Sequence, residues 1–96
     1  MAGPGIAVML LVAAAAPRAQ DARKVLEAAR CNQCHDSAVS EENPRALAVY
    51  DLHEKDWPAR LPDARLPKLL GRLRSSPAAD REIVRRFVEA ELRRRH

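Results

Sequence analysis

Ninety-six residues leave room for one domain, and a net charge of +4 is spread over 17 Lys and Arg against 13 Asp and Glu. With one Trp, one Tyr and one Phe, the chain lacks the aromatic residues interleaved with cations that nucleic-acid-binding surfaces carry. A folded domain this small is poorly stabilised by burial alone and needs a staple or a filler.

Ile6 to Ala16 is an uncharged apolar run, too short to span a bilayer and of the length of an export-signal core. Residues 1–19 are therefore expected to be a signal peptide. The small-x-small site at Ala14 to Ala16 is the best cleavage position, with cuts after Ala15 or Ala19 as alternatives. Residues 20–96 then form the mature domain, in the periplasm of a bacterium. A low-complexity alanine tract can also be a plain N-terminus without that role.

Asp21 is suited to cap a helix in which Ala22, Val25, Leu26 and Ala29 form one apolar stripe, with Arg23, Lys24, Glu27 and Arg30 on the solvated side. This helix leads into Cys31-Asn32-Gln33-Cys34-His35. Cys-x-x-Cys-His is the c-type haem attachment pattern. In it Cys31 and Cys34 form thioether links to the porphyrin, and His35 ligates the iron. The same two cysteines, the only ones in the chain, could instead form a redox disulfide or bind zinc with two of His35, His53 and His96. A thioredoxin-like site calls for a βαβ pattern that is missing, and the histidines lack the compact spacing of zinc modules.

Asp36 to Asn43 is polar and acidic, as expected of a loop, and Ser40 or Asn43 with Pro44 restarts a helix. Ala46, Leu47, Val49, Tyr50 and His53 recur at helical spacing, which puts His53 on the side of Val49 and Tyr50. There it is either a sixth iron ligand or a core or rim residue. Pro58, Pro62 and Pro67 predict a turning, mostly non-helical strap, in which Trp57 either donates its indole N–H to a haem propionate or plugs the core. Leu69, Leu70 and Leu73 suggest a short helix broken at Gly71. Ser76 and Pro77 open a last helix whose buried side is Ile83, Val84, Phe87, Val88 and Leu92 and whose end carries Arg93 to Arg95.

A helix ending in the attachment motif, and a terminal helix with an aromatic on its inner face, resemble the small mono-haem class I cytochromes c. The resemblance implies an all-α fold, a bundle of three to four helices around one covalent haem c, with the terminal helix crossing the one before the motif. It also exposes a departure. Members commonly use a methionine of a Met-Pro pair as distal ligand, whereas this chain reads Leu66-Pro67-Lys68-Leu69-Leu70-Gly71-Arg72-Leu73 there, and its two methionines, Met1 and Met9, fall within the expected signal. The sixth position is then taken by His53, less readily by Lys68 or His96, or left open to a diatomic gas or, less readily, peroxide.

The functional expectation is a one-electron carrier between periplasmic redox proteins, not an enzyme; the alternative is a five-coordinate haem module that binds or senses a gas. Residues 20–56 hold five basic and eight acidic residues, and residues 57–96 eleven basic and five acidic. That asymmetry suits docking on an acidic partner surface, or is only a solvated arginine-rich face. Stable membrane insertion of the mature chain is not expected, because Glu89 and Glu91 mix with the arginines of the last helix.

Overall fold

The computed structural model describes residues 15–40 and 42–96. The body of the expected signal core therefore lies outside the described residues. Five α-helices and one 3-10 turn follow in order: α1 (Ala19–Ala28), α2 (Asn32–His35), α3 (Pro44–Val49), the 3-10 turn (Trp57–Arg60), α4 (Lys68–Gly71) and α5 (Ala78–Arg95). The all-α expectation holds, with no strand among the described residues.

The start of α1 differs from expectation. Asp21 stands one turn inside the helix, where its carboxylate accepts the backbone N–H of the N-cap residue Arg18 at 2.8 Å. A carboxylate at this position satisfies an orphan donor as well as a residue at the cap would, and also suits the positive end of the helix dipole. At α3 Asn43 does cap, accepting from Ala46 N at 3.3 Å with Pro44 at the first helical position. In α5 the helix begins at Ala78 with Pro77 as N-cap and no cap hydrogen bond from Ser76, one residue later than expected.

α1 and α5 pack against each other more extensively than any other pair of elements. Ala22, Val25 and Leu26 of α1 meet Val84, Phe87 and Val88 of α5 in one core with Tyr50, Leu52, Trp57, Leu61, Leu66, Leu69 and Leu73. Each large apolar side chain fully buried here contributes roughly 1.5–3 kcal/mol. Trp57 is the largest, with 1 % of its surface exposed. Its Nε1 donates to the Ala19 carbonyl at 3.2 Å, which ties the strap to the first turn of α1. Its ring packs on Tyr50 and on Phe87, with centroids 5.8 and 5.7 Å away.

Between α3 and the 3-10 turn the chain leaves the expected helix at Tyr50, whose backbone is extended (φ −165°, ψ 155°). From there burial alternates: Tyr50 and Leu52 are buried, Asp51 is partly exposed and His53 fully turned out. The N–H of Leu52 donates to the His35 carbonyl at 2.6 Å, which docks this segment on the attachment motif. His53 therefore does not share a helix face with Val49 and Tyr50.

Candidate functional site

The motif is presented by the way α1 ends. Arg30 sits at φ 68°, the left-handed conformation usual for glycine after a helix, and Cys31 N reaches back to Leu26 O at 2.9 Å. The chain then reverses and Cys31 becomes the N-cap of α2, with His35 N donating to Cys31 O at 2.9 Å. One helical turn separates Cys31 from Cys34 and His35, so all three side chains share a face. They line a cavity of about 720 Å³, within the range of about 300–1,000 Å³ usual for small-molecule sites.

His35 is held in one tautomer. Its Nδ1 faces two carbonyls, Ala46 O at 2.8 Å and Tyr50 O at 3.4 Å, so it must carry the proton and donate. In the neutral ring the lone pair is then on Nε2. The Ala46 carbonyl accepts twice, from this ring and, at a longer 3.4 Å, from the N–H of the C-cap residue Tyr50 at the end of α3. The imidazole lies flat on the Tyr50 ring, with centroids 4.0 Å apart and planes at 8°.

Burial pushes the Cys31 thiol above its ordinary range, against the opposing pull of a hydrogen bond from the Tyr50 hydroxyl. Tyr50 is pushed up as well, by burial and by the neighbouring Cys31. An activated redox cysteine requires the opposite shift. Cys31 and Cys34 are not joined in a disulfide. Among the described residues no group of three or more His, Cys, Asp and Glu side chains gathers as a metal cluster, which leaves the zinc alternative without a ligand set there.

The remaining lining has two characters. Ala46, Val49, Leu61 and Leu69 are apolar, and Arg30, Arg65, Lys68 and Arg72 are cationic, with no carboxylate among the lining residues. Among the described residues none of these four cations has an ion-pair partner. Apolar side chains beside uncompensated cations, two thiols and an imidazole suit a largely apolar ligand that carries negative charge.

The other residues singled out from sequence lie elsewhere. His53 is exposed, with Nδ1 3.9 Å from Asp36, and does not line the cavity. Trp57 does not line it either: its N–H is already donated to Ala19 O, so the propionate contact gives way to the core role. Leu66 is fully buried in the core, and His96 pairs with Asp63 at the end of α5. Of the distal candidates named from sequence, Lys68 alone lines the cavity.

Two supporting residues were not anticipated. Asp36, next to His35, is the buried charged residue of the described chain; it accepts Ala38 N at 2.9 Å and lies 3.9 Å from Arg23. An Asp followed by a polar turn is the signal that could have found it, since its side chain commonly bonds the backbone two residues on. Arg95 is the other. It donates to Leu61 O at 2.7 Å and Pro58 O at 2.9 Å, and so holds the strap that brings Leu61 to the cavity.

No family model, no curated protein and no solved structure matches this chain. Among the described residues no helix is long and apolar enough to cross a membrane.

Proposed function

We propose that Cys31 and Cys34 anchor one haem c, that His35 Nε2 ligates its iron, and that the domain is an exported c-type cytochrome carrying single electrons between periplasmic redox partners. One observation carries the reading: Cys31, Cys34 and His35 line a single apolar, cation-rimmed cavity from one helical turn, with Nδ1 of the imidazole already engaged by a backbone carbonyl. Each thiol adds its S–H across a vinyl group, forming one S–C and one C–H bond without any oxidant. Once bound, the group supplies a one-electron iron couple. Everything else belongs to the chain. The Ala46 carbonyl holds the His35 tautomer. Ala46, Val49, Leu61 and Leu69 exclude water, and Arg30, Arg65 and Arg72 would meet the propionates and, at their exposed ends, an acidic partner surface.

A second reading has its own observation. With His53 outside the cavity, the strap and α4 offer Leu61 and Leu69 beside the cations, which suits an open sixth position and gas binding. In the carrier reading Lys68 closes that position. A spectrum of the reduced, matured protein decides between them: low-spin bands indifferent to carbon monoxide support the carrier, and a high-spin spectrum that shifts with the gas supports the second reading. His53→Ala is expected to leave either spectrum unchanged.

Export sets one further expectation. Arg18 caps α1 and Ala19 O accepts from Trp57, so cleavage after Ala16 retains both contacts, whereas cleavage after Ala19 removes them. Intact mass of periplasmic protein is expected to place the mature terminus at Pro17 or earlier.

A further inference from the structure

We propose that Tyr50 is a positioning residue that sets the rotation of the His35 imidazole, and that it acts through the face of its ring and not through its hydroxyl. The inference rests on His35 being the iron ligand. The hydrogen bonds from Nδ1 to Ala46 O at 2.8 Å and, more weakly, to Tyr50 O at 3.4 Å tolerate a range of directions, so by themselves they leave the imidazole a limited swing about its Cβ–Cγ bond. A parallel ring at 4.0 Å removes that freedom, because turning the imidazole drives its edge into the tyrosine.

Tyr50 in turn is held. It is buried, its extended backbone is docked by the adjacent Leu52 N–H on His35 O, and its ring packs on Trp57, which is itself pinned by Ala19 O and Phe87. The row His35, Tyr50, Trp57, Phe87 therefore runs from the cavity wall to α5. Through it the bulk of the core buttresses the ligand. The angle of an axial imidazole plane over the porphyrin nitrogens governs its overlap with the iron d orbitals, hence the potential and the paramagnetic shifts of the ring methyl groups.

The test compares the matured ferric protein with Tyr50→Phe and Tyr50→Leu by proton NMR and by redox titration. Tyr50→Phe keeps the ring face and is expected to keep the order of the haem methyl resonances. Tyr50→Leu is expected to change that order and to move the potential, with helix content intact by circular dichroism. A wild-type methyl order in Tyr50→Leu overturns the proposal, and so does an altered order in Tyr50→Phe, which would assign the effect to the hydroxyl. Should Tyr50→Leu not fold, the wild type decides. Cross-relaxation between the His35 and Tyr50 ring protons is expected in the reduced protein saturated with carbon monoxide, and its absence overturns the proposal. A wild-type chain that attaches no haem at all contradicts the assignment of the site instead, a result distinct from each of these.

Discussion

Arg30 is the residue at which the cost of presenting the motif is concentrated. A non-glycine residue in the left-handed region costs on the order of 1–3 kcal/mol, and here it is tolerated because the turn it makes delivers Cys31 to the start of α2. Arg30→Gly is expected to raise stability by about 1 kcal/mol in urea denaturation while removing one cation from the cavity rim. The acid side of the stability profile also belongs to individual groups. At Asp51 burial works to raise the carboxyl, but N–H donors from Ser37 and His53 outweigh it and hold it below the usual range. Asp63 is held low by Arg95 and then His96, and Glu91 by Arg94 and then, against burial, Arg95. A carboxylate whose native value is depressed stabilises the fold above its unfolded value of about 4 and loses that contribution as the pH falls through the lower native one. The urea midpoint is therefore expected to drop below about pH 4, less steeply in Asp51→Asn. Arg30 also shows where sequence reading stops. Glycine after a helical stripe announces such a turn, and an arginine there reads only as one more solvated charge.

At the scale of elements, the strap depends on a contact from the far end of the chain. Arg95 was legible as a favourable charge at a helix C-terminus, yet its guanidinium bonds carbonyls more than thirty positions away, and no local pattern encodes that. Truncating it strips charge-assisted bonds from Leu61 O and Pro58 O, and Arg95→Ala is expected to cost about 2 kcal/mol. Arg94, exposed and among the described residues paired only with Glu91 on its own helix, serves as the control, and its replacement is expected to lower the urea midpoint far less. The long elements were the readable ones. α1 and α5 carry an apolar stripe over several turns, whereas α3 is six residues long and its apparent periodicity runs on into an extended segment. Val49, Tyr50 and Leu52 fit helix and strand spacing alike over so few residues, and the docking of Leu52 on His35 O decides for the strand-like path. That single change of path carried His53 away from the cavity.

For the whole molecule, one indole joins the strap, α1, α5 and the wall behind the cavity. A domain of this size is expected to be stable by about 4–12 kcal/mol, and Trp57→Ala, which removes a fully buried ring, should cost about 3–5. The chain without cofactor is then expected to lose most of its cooperative thermal transition. Covalent attachment should restore part of it, because a tethered ring buries its apolar faces only when the chain folds around it. The small size of the domain is the sequence feature behind this expectation, since burial alone stabilises so short a chain poorly. The cavity's cationic rim did not show itself in the same way, because Arg30, Arg65, Lys68 and Arg72 are spread over more than forty positions and converge only when α4 folds back toward the motif. Attachment of the cofactor is the claim on which all three scales depend, and intact mass of the protein co-expressed with a c-type maturation system tests it most directly. One covalent haem on the wild type, and none on the Cys31→Ala, Cys34→Ala double variant, is the predicted result; a wild-type mass equal to the bare polypeptide, with both thiols open to alkylation, would contradict it.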